Sequence, residues 1–295
     1  MFTKIKIVLT IIGLIISTVQ GGDGKKTNRI ERSVDKTSEK SIYADISIGM
    51  GVITLNKGTN HKVFDGEFLY FNQSPDIEYE IVGDEGRLSI DFDEFENNEK
   101  EEDQNIKNLS SLNDLYENEC RLRLSDKLPI SLNLDLGVVK GELDLGGLQL
   151  QDISISSGVS QAYVNFEEPN PITLESFNIE AGVGDLELSK LGNANFEYFK
   201  FDGGIGNYVL DFTGEIKQSA EIDIEVGLGK VNIYLPRSAG VRINIEESFL
   251  TSLSIDDIYK KDDVYYNDNW GKSDVSLDID IESEVGKISI FWVDE

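Results

Sequence analysis

Phe177-Asn178-Ile179-Glu180-Ala181-Gly182-Val183-Gly184-Asp185-Leu186-Glu187-Leu188 is the stretch that decides the fold. Counted from Gly182, its apolar residues fall at −5, −3, +1, +4 and +6. The same frame fits Ile222, Ile224, Leu228, Val231 and Ile233 around Gly227, and Phe199, Phe201, Ile205, Tyr208 and Leu210 around Gly204. Gly158 carries Ile153, Ile155, Val159, Ala162 and Val164, and Gly137 carries Leu132, Leu134, Val138 and Leu143. The references at 137, 158, 182, 204 and 227 are 21, 24, 22 and 23 residues apart. Outlying copies centre on Gly49 (Ile46, Met50, Ile53, Leu55) and on Glu284 (Ile279, Ile281, Val285, Ile288, Ile290). A fixed spacing of this size marks a stacked array in which each repeat buries its neighbour's apolar face.

Alternation with period 2 before and after the centre gives each repeat two strands with one buried face. The Gly-apolar-Gly centre lets the chain bend sharply, and we expect the middle residue, such as Val183 or Leu228, to point inward with Ile179 and Ile224. No helical pattern follows the glycines, which excludes a nucleotide-cradling loop, since that needs a helix N-terminus. The expected fold is all-β: a β-solenoid-like stack of two-strand repeats of about 22 residues.

Around the array the chain divides into four parts. Residues 1–21 read as a signal peptide, with Lys4 and Lys6 before an apolar run at 7–16, and Val19 and Gly21 preceding the cleavage point. That run is too short to span a bilayer, so the mature chain is expected to lack a transmembrane segment. Residues 22–40 read as a flexible polar linker, and 41–130 as an N-terminal β region with an acidic insertion. Strand-like runs there are Phe68-Leu69-Tyr70-Phe71, Ile77-Glu78-Tyr79-Glu80-Ile81-Val82 and Leu88-Ser89-Ile90-Asp91-Phe92, followed by a solvated acidic tract at 91–104. Residues 131–295 hold the repeat array, with a non-repeat excursion near 246–275 that suits a short helix or an irregular loop.

Composition agrees with a β-rich globular chain: 39% of the 295 residues are apolar and 28% charged. Ala, the best helix former, occurs only six times. The net charge of −28 repels phosphate backbones and anionic lipid, so nucleic acid is excluded as a partner; cations, basic proteins and neutral glycans are compatible. The single cysteine, Cys120, permits no internal disulfide and reads as a small buried residue.

One histidine, His61, in a polar loop, and one cysteine supply too few ligands for zinc, haem or iron–sulfur, and no nucleophile motif is present. No catalytic or cofactor-binding residue is expected. Between 125 and 236 there is no Arg, His, Cys, Trp or Met, which removes the groups that carbohydrate-degrading β-helices use. One column remains. At position −2 the outward residues are Asp135, Ser156, Glu180, Asp202, Glu225 and Glu282. If the repeats stack in register, Glu180, Asp202 and Glu225 lie about 4.8 Å apart, either screened by water or bridged by Ca²⁺.

The run Cys120-Arg121-Leu122-Arg123-Leu124 leads into Leu132-Asn133-Leu134-Asp135-Leu136-Gly137 and Leu143-Asp144-Leu145-Gly146-Gly147-Leu148. With Val226-Gly227-Leu228-Gly229, Tyr234-Leu235-Pro236-Arg237 and Val285-Gly286-Lys287-Ile288, it resembles the bacterial toast-rack family and the related LiaF-like cell-wall-active antibiotic response and candidate-adhesin domains. The resemblance spans most of 42–292. It implies a stacked-strand fold in the cell envelope and brings no catalytic residues; the leader pattern at 1–21 adds export, to the periplasm or cell surface. The expected function is non-enzymatic: an adhesin-like binding or structural module for a protein or glycan of the envelope. An accessory modulator of an envelope-stress sensing system is the second reading, and a carbohydrate-active enzyme the third.

Overall fold

The computed structural model describes residues 16–20, 26–58, 61–71, 73–92, 118–247 and 250–294. Among them the chain is almost wholly strand: β1 (Ile16–Gln20), β2 (Lys26–Asp35), β3 (Ser41–Lys57), β4 (Lys62–Tyr70), β5 (Asp76–Val82), β6 (Glu85–Phe92) and β7 (Glu119–Leu124) come first. The array follows as β8 (Pro129–Asp144), β9 (Gln149–Asn165), β10 (Leu174–Ser189), β11 (Phe196–Asp211) and β12 (Ala220–Pro236). Then come β13 (Gly240–Glu247), β14 (Thr251–Ile255), β15 (Tyr259–Lys261), β16 (Val264–Tyr266) and β17 (Ser276–Val293).

Seven long strands pair in parallel in the order β3-β8-β9-β10-β11-β12-β17. The repeat frame sets their register. Ile179 lies beside Ile155 and Phe201, and Phe201 beside Ile224. Consecutive parallel strands need a return path, and here geometry forces it into the strand itself. β10 has 16 residues, about 53 Å if straight. The connection to Phe196 has room for only about 22 Å of extended chain. Each strand must therefore fold back at its glycine centre, and its two arms face each other.

The contacts show that closure. The ring centroids of Phe201 on the first arm of β11 and Tyr208 on the second lie 4.9 Å apart. A Cβ on Gly203 would come within 2.7 Å of both rings. At the open end, Phe166, Phe177, Phe199 and Phe212 form an edge-to-face chain with centroids 5.8, 5.3 and 5.4 Å apart. The turns are held by buried asparagines. Asn170 donates to the carbonyls of Leu150 (2.9 Å) and Ala194 (3.1 Å) and accepts from the Leu150 amide (3.2 Å).

The ends of the array are closed by different strands on each arm. β3 pairs through its first arm with β6 and through its second with β7; β17 pairs likewise with β13 and β14. Solenoids need such caps to cover the last apolar layer. The runs expected at Phe68–Phe71, Ile77–Val82 and Leu88–Phe92 correspond to β4, β5 and β6. Past Phe92 the acidic tract lies outside the described residues.

Two expectations change. The polar linker expected at 22–40 is mostly β2, antiparallel to β4, with Ile30 against Phe68 and Val34 against Phe64. Ile30 and Val34 are both buried. The excursion after 246 contains no helix among its described residues; it carries three short paired strands, β14, β15 and β16, and the stretch 267–275 runs on as the irregular loop expected. Of the leader expected at 1–21, Ile16–Gln20 is described, as a strand beside β2.

Candidate functional site

Among the described residues, four of the most exposed large apolar side chains sit where the long strands bend. Residues at −5, −3 and −1 alternate inward along the first arm, as in Phe177, Ile179 and Ala181, all buried. Residues at +4 and +6, here Leu186 and Leu188, are also buried, yet they have the opposite parity. A strand can satisfy both only by switching phase between −1 and +4, and the bend does this just after −1. Position +1 is therefore left on the outside. Val183 and Leu228 are 46% and 49% exposed, Val159 and Ile205 49% and 51%, which overturns the inward placement expected for the middle residue. Ile179 and Ile224 are buried as expected.

The register turns these outward residues into a continuous ladder: Met50, Val138, Val159, Val183, Ile205, Leu228 and Val285 lie side by side on successive rungs. Six steps of about 4.8 Å make it ~29 Å long. A second glycine, two residues after the reference position, shapes five of the seven corners, with Val139 standing there in β8. Gly51, Gly184, Gly229 and Gly286 have φ of 144°, 150°, 153° and 145°, a region that L side chains rarely adopt. At Gly184, Gly229 and Gly286 a Cβ would also overlap the carbonyl oxygen of the rung before. Ser160 occupies this position in β9 and turns its hydroxyl inside, 2.7 Å from the Ser157 hydroxyl.

Beside the ladder runs the column at −2. Asp135, Ser156, Glu180, Asp202, Glu225 and Glu282 are registered neighbours, all exposed, and Glu246 on β13 extends the row beyond Glu282. The alignment of Glu180, Asp202 and Glu225 expected from the repeat is thus present. Lys200 Nζ lies 3.6 Å from Glu225 Oε1. Among the described residues, no three His, Cys, Asp or Glu side chains converge as a metal ion would require. On the other side of the ladder, at +3, stand Lys140, Gln161, Asp185, Asn207, Lys230 and Lys287. The face is an aliphatic ridge with a strongly acidic margin and a mixed one.

The two classical reactive side chains lie apart from this face. Cys120 is fully buried, and burial pushes its thiol well above the usual range, so it cannot act as a thiolate. His61 is exposed in the turn between β3 and β4. Among the described residues, no helix is long and apolar enough to cross a membrane.

A family model described as the N-terminal domain of toast_rack, DUF2154, matches residues 22–189 and 170–234. The chain belongs to that family. Among solved structures it is similar to a candidate cell adhesion protein of Clostridium sporogenes, at 21% identity and a TM-score of 0.48, covering 90% of this chain and 100% of that one. It is also similar to a candidate adhesin of Bacteroides fragilis, at 14% identity and a TM-score of 0.38, covering 89% and 96% respectively. No curated protein matches the chain.

Proposed function

We propose that this protein is an exported, non-enzymatic binding module of the cell envelope, adhesin-like in action, whose contact face is the corner ridge with its acidic margin. The observation that carries the reading is the ladder itself: an aliphatic row ~29 Å long, about half exposed in its central rungs, on a chain otherwise coated with charge. Contiguous exposed apolar surface of this kind marks interaction sites. The column of carboxylates beside it selects a partner whose apolar contact surface is bordered by Lys or Arg, and steers its approach. The leader-like pattern of residues 1–21 supports a site of action outside the cytoplasm.

The test is a variant carrying Val183→Ser, Ile205→Ser and Leu228→Ser together. These side chains keep about half their surface in solvent, so the fold should survive. Purified wild-type chain should bind isolated envelope saturably and the variant should lose most of that binding, with raised salt weakening the wild type as the acidic margin is screened. Equal binding by wild type and variant, at equal melting temperature, would refute the assignment.

A further inference from the structure

The chain's only Arg of the second half outside strand β13, and one of its two tryptophans, meet at the far end of the array in a cleft built by the excursion. Open to solvent and holding about 620 Å³, it lies between the end of β12, the β14–β15 turn, the segment after β16 and the end of β17. That volume is in the range of small-ligand sites. Two aromatic rings line it, each fixed from behind. Tyr259 stacks on Tyr266 with centroids 5.6 Å apart and planes at 22°, which leaves its other face open; it is 48% exposed. Tyr266 is in turn backed by Trp270 at 6.0 Å. Trp292 donates its indole N–H to the Asp256 carbonyl at 2.8 Å, so its ring cannot swing away.

Planar polar groups share the same walls. The Arg237 guanidinium bonds Asp257 Oδ2 at 2.8 Å and lies 3.3 Å from Asp294 Oδ1. The Asn269 amide donates to the Arg237 carbonyl at 2.6 Å, leaving its own oxygen as an acceptor. Asp268 lines the cleft with an exposed carboxylate. Asp257 sits in the left-handed region, φ 53°, which sets its side chain against Arg237.

We infer that this cleft is a binding site for a neutral oligosaccharide. A sugar ring has an apolar face and a rim of hydroxyls, each both donor and acceptor. Tyr259 and Trp292 supply rigid faces for the first, at low entropic cost because both rings are already held. Arg237, Asp257, Asp268 and Asn269 supply planar groups able to engage adjacent hydroxyls in pairs. The Arg237 charge is matched by two carboxylates, and Asp268 adds a third, so uronates and phosphates are repelled. No covalent step is involved.

The site is separate from the corner ridge, and its test is separate too. The full chain is titrated with neutral cello-, chito-, malto- and xylotetraose, and with tetragalacturonate as the anionic control. Tryptophan fluorescence reads the site directly, because the chain has two tryptophans and both belong to this end. At least one neutral tetrasaccharide should bind saturably. Tyr259→Ala and Asp268→Ala should each weaken it about tenfold or more, Tyr259→Phe, which keeps the ring, should bind like the wild type, and the ridge variant should bind unchanged. Tyr259 and Asp268 are exposed, so neither substitution threatens folding, and equal melting temperatures check this. Absence of saturable binding by every neutral sugar, undiminished affinity in both weakened variants, or preference for tetragalacturonate would overturn the assignment.

Discussion

Replacing Ile179 and Val183 by alanine, one at a time, measures the direction in which each side of the bend faces. The two residues are four apart in β10, both β-branched, so their strand propensities fall together and burial is what separates them. Ile179 is 2% exposed. Ile179→Ala removes three buried carbons at about 0.8 kcal/mol each, ~2.4 kcal/mol, and leaves a cavity between the arms. With the cavity the cost should be about 3–4 kcal/mol. Val183 is 46% exposed, so Val183→Ala removes two carbons of which only about half the surface is buried, ~0.9 kcal/mol. Guanidinium unfolding followed by far-ultraviolet circular dichroism gives both values, compared at constant denaturant slope. A Val183→Ala cost equal to that of Ile179→Ala would mean that the middle residue faces the core, and the ridge would not exist.

Three further outcomes follow from the same geometry. Gly229→Ala should destabilise by about 3 kcal/mol or more, because alanine is strained at φ 153° and its Cβ would overlap the Gly206 carbonyl, whereas Gly227→Ala, 3.0 Å from the Gly204 oxygen, should cost about 1 kcal/mol or less; equal costs in thermal melts would refute the corner geometry. Asn170→Ala should cost about 3 kcal/mol in denaturant melts, since it strands two carbonyls and an amide inside the turns, and a change below 1 kcal/mol would show that these bonds are not needed. Asp202→Asn removes two like-charge neighbours at about 5 Å, each worth ~0.8 kcal/mol in water. It should therefore raise the melting temperature at low ionic strength. The gain should fall to about half at 0.15 M monovalent salt and shrink to little near 1 M, with Ca²⁺ acting only through ionic strength; calorimetry showing saturable Ca²⁺ binding that Asp202→Asn abolishes would make the column a metal site.

The pattern around Gly182 determined much of this protein by itself. Alternation is a local property of a strand, so the burial of Ile179, Ile224, Leu186 and Ile233 and the exposure of Glu180 and Glu225 could be read from spacing. The constant repeat length likewise aligned Glu180, Asp202 and Glu225, since equal coils stack in register. Only the tertiary structure decided where the phase switches. Parity groups Val183 with Ile179, and a glycine permits a turn on either side of it. The choice depends on how the second arm packs against the first, and that placed Val183 outside. The same limit hid β2: Ile30 and Val34 are two apolar residues in a polar stretch, and they become core only because Phe68 and Phe64, far along the chain, lie opposite them. It also hid the terminal cleft, whose Arg237, Tyr259, Asn269 and Trp292 carry no common spacing and meet only after β12, β15 and β17 have been stacked. A repeat writes its periodic contacts into the sequence, but contacts between unlike segments leave no period to read.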